Sequence, residues 1–198
     1  MQMNPRSRPA AFAAVVLAGA AAIAACQDSF NPVCPTGTRN EGSFLATFTP
    51  LPAATDCRIT SDSDGGALDA SLASTPAAVN TTICSLPPPD GGTPTVYMEF
   101  NSNLPRVSTL DDGGTFVFTS STTISGSACV CNIDVTETIS GTLLPADGTD
   151  AAVTFDVDAG GFTPMRGFTA TIVDAVDGGA GCHCNIPCSI QYRLDGTK

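Results

Sequence analysis

Cys182-His183-Cys184-Asn185-Ile186-Pro187-Cys188-Ser189-Ile190-Gln191-Tyr192-Arg193-Leu194 is the stretch on which the fold reading turns. Successive residues of a β-strand point to opposite faces. Taken as a strand, its even positions put Cys182, Cys184, Ile186, Cys188, Ile190, Tyr192 and Leu194 on one face. The odd positions put His183, Asn185, Pro187, Ser189, Gln191 and Arg193 on the other. Three cysteines thus share a face with aliphatic side chains, and His183 points away. Pro187 has no amide hydrogen for a ladder bond, so it predicts an edge strand or a bulge.

Ala128 to Ser140 has the same character. Cys129, Cys131, Ile133, Val135 and Ile139 share one parity, and Asn132, Asp134, Thr136 and Thr138 the other. Both stretches contain Cys-x-Cys-Asn-Ile, 53 residues apart, and both follow a Thr-rich run and a Gly-containing turn. This reads as two similar hairpins. If they lie in facing sheets, their cysteines would bridge across or beneath the core.

The same alternation recurs elsewhere. Ser43–Phe48 puts Phe44, Ala46 and Phe48 on one face, and Thr95–Phe100 does so with Val96, Met98 and Phe100. Ala151–Asp158 alternates Val153, Phe155 and Val157 with polar residues, and Thr115–Ile124 and Phe168–Val176 are rich in Thr and Val. β-Branched and aromatic residues at period two mark half-buried strands. Asp64-Gly65-Gly66, Asp90-Gly91-Gly92, Asp112-Gly113-Gly114, Asp147-Gly148, Asp177-Gly178-Gly179 and Asp195-Gly196 read as tight turns, because Asp-Gly tolerates the positive φ of hairpin loops. Helix signals are poor: Ala67–Ala73 has room for one or two turns. Residues 50–94 read as long loops with one strand near Val79–Cys84. The expected fold is all-β, an antiparallel sandwich with a barrel as the alternative, disulfide-rich and following a cleaved N-terminal signal helix.

The N-terminus has its own grammar. Arg6 and Arg8 precede the run AAFAAVVLAGAAAIAA over residues 10–25, which ends in Ile23-Ala24-Ala25-Cys26. A basic head, a short apolar run and small residues at the cut make an export signal, too short and too rich in Ala to span a bilayer. Ile23-Ala24-Ala25-Cys26 resembles the lipobox of bacterial lipoproteins. The resemblance covers about the first 27 residues and implies cleavage before Cys26 and lipidation of Cys26. Gln27, in place of an Asp, implies sorting to the outer membrane. Lipoproteins of this type carry three acyl chains, enough for stable anchoring where one is marginal. The expected organisation is a signal peptide over 1–25, a tether over 26–42 and one disulfide-rich β domain over 43–198.

Beyond residue 25 the chain holds all nineteen acids and six of the eight bases, a formal charge of −13. Such a surface repels nucleic acid and anionic lipid. Eight cysteines remain after Cys26: Cys34, Cys57, Cys84, Cys129, Cys131, Cys182, Cys184 and Cys188. An even count in an exported chain reads as a disulfide framework, with 105 pairings open to it.

Sharper chemistry finds little support. Cys182, His183, Cys184 and Cys188 are zinc-ligand types without zinc-finger spacing. A Cys-x-Cys pair has no thioredoxin-like Cys-x-x-Cys context. Asp62, Asp64 and Asp69 resemble an acidic calcium loop that lacks its third early ligand and its closing glutamate. His183 is the one histidine, and no Gly-x-Ser-x-Gly elbow accompanies it. Ser189 shares its strand parity only. Two carboxylates would serve a glycosidase, but the chain has no Trp and only Tyr97 and Tyr192 to stack a sugar. No catalytic or cofactor-binding residue is assigned and no cofactor is expected. The expectation is a lipid-anchored, non-catalytic protein of the bacterial cell envelope with a structural, adhesive or assembly role. Its partners would be the membrane, through the N-terminal lipid, and an envelope protein. The alternatives are a metal- or small-ligand-binding lipoprotein and a carboxylate-dependent envelope hydrolase.

Overall fold

Twelve strands form among the described residues of the computed structural model, which are 34–61, 67–71, 78–88, 92–100, 105–125, 129–179 and 181–198. They are β1 (Arg39–Leu51), β2 (Arg58–Ser61), β3 (Ala67–Ser71), β4 (Val79–Leu86), β5 (Thr95–Phe100) and β6 (Arg106–Thr109). The second half adds β7 (Thr115–Ile124), β8 (Ile133–Pro145), β9 (Phe155–Asp156), β10 (Gly161–Phe162), β11 (Met165–Gly178) and β12 (Cys188–Thr197). No helix occurs among these residues.

Eight strands make one antiparallel sheet in the order β6-β5-β4-β1-β12-β11-β8-β7. Followed along the chain, this is an up-and-down meander whose last strand, β12, pairs with its first, β1. The edges β6 and β7 are joined by the turn at Asp111–Gly114, so the sheet nearly closes into a barrel, the alternative given with the sandwich. Asp111 shapes that turn: Oδ1 accepts from the amides of Gly113 (3.0 Å) and Thr115 (2.8 Å). Across the seam, Ser108 Oγ donates to the carbonyl of Val117 at 2.7 Å.

Strand parity sorts the side chains. Phe44, Ile83, Met98, Phe116, Phe118, Ile139, Phe168, Ile172 and Leu194 fill the interior, all almost fully buried. Thr119, Ser121 and Thr123 on β7, and Thr136 and Ser140 on β8, stand exposed outside. A membrane-spanning barrel carries an apolar band on the outside; here hydroxyls cover much of the outer face of β7 and β8, with Leu45, Val107 and Val117 as the exposed apolar side chains of the barrel wall. Gly196 is part of the packing. A Cβ there would meet Phe168 Cε1 at 2.1 Å, and Phe168 packs edge-on against Phe44 at 5.9 Å.

Several expectations need correction. Asp195-Gly196 is no turn but lies inside β12, paired on both sides, because the Phe168 ring fills the space over the glycine. Ala67–Ala73 does not turn helically: Ala67–Ser71 is strand β3, paired with β2. β1 begins at Arg39, inside the stretch read as tether. The alternating run at 151–158 yields only the two-residue β9. Val153 is buried and Val157 is 73% exposed, because this segment caps a barrel end, with Phe155 edge-on to Phe162 at 5.7 Å. Asp64-Gly65-Gly66 and most of Asp90-Gly91-Gly92 lie outside the described residues.

The barrel has two unlike ends. At the terminal end β1 starts, β12 stops, and the 146–164 excursion folds over the rim. There a bulge between Asn40 and Gly42 sets apart Glu41, whose side chain is 5% exposed. Its Oε1 accepts from the Phe162 amide at 3.1 Å and from Ser85 Oγ, while Arg39 binds the carbonyl of Ala159. At the cysteine end lie the loop residues 129–132 and 181–187 and the 52–60 segment.

Candidate functional site

The two Cys-x-Cys motifs meet at the cysteine end. They are not strands: β8 starts at Ile133 and β12 at Cys188, after both motifs have passed. Nor do they lie in facing sheets, since β8 and β12 both flank β11 in one sheet. The loops instead run antiparallel to each other, joined by Cys129–Cys184 and Cys131–Cys182 and by the His183 amide donating to the Cys129 carbonyl at 2.7 Å. Pro187 marks no sheet edge, because β12 is interior and Pro187 precedes it, after a cis Ile186–Pro187 bond. Val130, between two bridged cysteines, sits at φ 58° and is 52% exposed.

A third bridge, Cys57–Cys188, fastens the 52–60 segment over this end. Asn185 completes the clamp. Its Oδ1 accepts from the Arg58 amide and its Nδ2 donates to the Asp56 carbonyl, both at 2.6 Å. The fourth bridge, Cys34–Cys84, is near the terminal end. All eight cysteines expected to pair are therefore paired. Cys182, Cys184 and Cys188 go to three different partners, which removes them as thiolate ligands of one zinc. Among the described residues no three His, Cys, Asp or Glu side chains converge on a metal position. Asp62 and Asp64 of the calcium-like run lie outside the described residues, and Asp69 is in β3. Cys26 also lies outside them.

Sequence reasoning missed a charged group inside the barrel wall. Arg106 on β6 reaches past β7 to Glu137 on β8, with Nε donating to Oε1 at 2.6 Å and Nη2 to Oε2 at 3.0 Å. The guanidinium also lies 4.7 Å from the Phe100 ring centroid, and Ser120 Oγ adds a 3.3 Å bond to Glu137. Directly opposite Glu137 stands Asp174 on β11. Burial pushes its carboxyl up to about 7; Glu137 adds to the shift and Arg106 opposes it. Asp174 Oδ1 makes no hydrogen bond. The signal was present: Glu137 continues the parity of Ile133, Val135 and Ile139, and Asp174 that of Phe168, Ala170, Ile172 and Val176. An acid at a core-facing strand position needs a partner or a proton.

Chemically the cluster offers one neutralised carboxylate and one carboxyl poised near neutrality. Glu137 has both oxygens committed to Arg106, whereas Asp174 has no ion-pair partner among the described residues. A cleft of about 180 Å³ lies elsewhere, at the terminal end, lined by Pro88, Pro94, Leu110, Phe155 and Val157 among others. Small-molecule sites usually exceed about 300 Å³. No protein-family model, curated protein or solved structure matches this chain.

Proposed function

We propose that this protein is a lipid-anchored, non-catalytic component of the bacterial outer membrane, held by acyl chains on Cys26 and serving a structural, adhesive or assembly role. One observation carries the reading: the eight other cysteines pair among themselves, which leaves Cys26 as the odd one, in the lipobox-like run Ile23-Ala24-Ala25-Cys26. Four bridges also suit the oxidising compartments beyond the inner membrane. The filled interior, the hydroxyl-rich outer face and the Arg106-committed Glu137 favour a durable scaffold over a hydrolase. The roles left open within this reading all need a rigid domain on a lipid tether.

Metabolic labelling with an alkyne fatty acid, followed by membrane fractionation, tests the reading. The expected result is a labelled, membrane-bound chain beginning at Cys26, and an unlabelled, unprocessed precursor for Cys26→Ser. An unlabelled wild type released as a free domain would overturn it.

A further inference from the structure

The anchor and the first disulfide together limit how the domain sits. Cys34 is tied to Cys84, two residues before β4 ends at Leu86, with 5.8 Å between their Cα atoms. The tether therefore joins the domain close to the terminal end of the barrel. Eight peptide steps separate Cys26 from Cys34, and fully extended they span no more than about 29 Å. β1 has thirteen residues; at about 3.3 Å rise and a tilt near 40°, such a strand covers roughly 33 Å of barrel height. Cys84 is level with Asn40 on β1, so roughly 28 Å of that height separates the Cys34 bridge from the far rim and only about 5 Å separates it from the near one. Bringing the cysteine end against the lipid would use the whole tether at full extension, whereas the terminal end reaches the lipid with the tether relaxed.

Resting on the lipid anchor proposed above, we infer that the terminal end of the barrel is the surface that faces the membrane, and that the double-disulfide end is presented away from it. The membrane-facing surface is the rim that carries Arg39, Arg166, Lys198, the β9–β10 hairpin and the turn at Asp111–Gly114. Its charge selects the kind of lipid. Asp111, Asp112, Asp147, Asp150, Asp156 and Asp158 are all exposed on this end, against the three bases Arg39, Arg166 and Lys198. Val157, the exposed apolar side chain at the hairpin tip, is flanked by two of these acids. Such a rim sits beside a zwitterionic headgroup layer and is repelled by an anionic one within about a Debye length.

Lys198 makes this testable, because it is the chain's single lysine. The lipidated protein is labelled there with an amine-reactive donor and floated with phosphatidylcholine vesicles carrying a headgroup acceptor. A second protein, Val130→Lys with Lys198→Arg, carries the donor at the opposite end. Both should float, with energy transfer several-fold stronger from Lys198. Inserting ten Gly/Ser residues after Gln27 should keep flotation and erase the difference, and replacing part of the phosphatidylcholine with phosphatidylglycerol should lower transfer from Lys198 at low salt. Equal or reversed transfer in floating protein overturns the orientation and leaves the anchor standing. Failure of both proteins to float removes the anchor and the orientation with it.

Discussion

Asp174 and Glu137 stand opposite each other on adjacent strands, yet only Glu137 is held by a cation. The pair concentrates two acids against one guanidinium at a mostly buried place, and Asp174 meets the imbalance by retaining its proton up to about pH 7. An acid whose pKa is raised on folding binds its proton more tightly in the folded state. It costs nothing at pH well below its ordinary 3.8, and its cost grows as pH rises from there and is complete above about 7. Asp174→Asn should therefore leave stability unchanged near pH 3 and raise it by about 2–4 kcal/mol at pH 8. Thermal melts of both proteins across that range check this; a constant difference at every pH would count against it.

Arg106 is the counterpart. Its loss strands Glu137 beside Asp174 and frees the β6 edge from β8. Arg106→Met should cost about 3–5 kcal/mol at pH 8, the usual penalty for breaking a buried pair from one side. Adding Glu137→Gln should recover part of that loss. Urea denaturation of the two single variants and the double variant reads the coupling.

Cys129–Cys184 and Cys131–Cys182 close nearly the same loop, with sequence separations of 55 and 51. A disulfide acts largely by restricting the unfolded chain. Either bridge alone does most of that work here. Removing Cys131 and Cys182 together, as alanines, should cost only about 1 kcal/mol, whereas removing both bridges should cost about 4 kcal/mol. Additive losses in guanidinium titrations would refute the redundancy.

Val130 holds a left-handed backbone conformation that a β-branched residue adopts at a cost of roughly 1–3 kcal/mol. Val130→Gly relieves it and at the same time loosens the unfolded chain. The expected net result is a gain of about 0.5–1 kcal/mol, seen as a higher melting temperature with all four disulfides intact by mass.

Much of the barrel was legible because strand alternation is a local property. Phe44, Ala46, Val96, Met98, Phe168 and Ile172 share their faces as their spacing demands. Ala151–Asp158 misled because alternation says which way side chains point, and not whether a neighbouring strand is there to pair with. Asp195-Gly196 misled because a glycine that spares a turn residue its Cβ clash and one that makes room for Phe168 are the same in sequence. The Arg106–Glu137–Asp174 group was half legible. Two acids at core-facing positions announced a buried charge, but their cation is on β6, a short strand 31 residues before Glu137.

By itself the sequence determined an all-β, antiparallel chain with an acidic surface and cysteines to be paired, since these follow from composition and from period two along the backbone. The tertiary structure alone decided that the strands wind into a nearly closed barrel, that the two Cys-x-Cys motifs bridge each other, and that Asp174 carries a proton near neutrality. Each of these depends on which distant residues come to lie within a few ångströms, and that is set by the packing of the whole sheet.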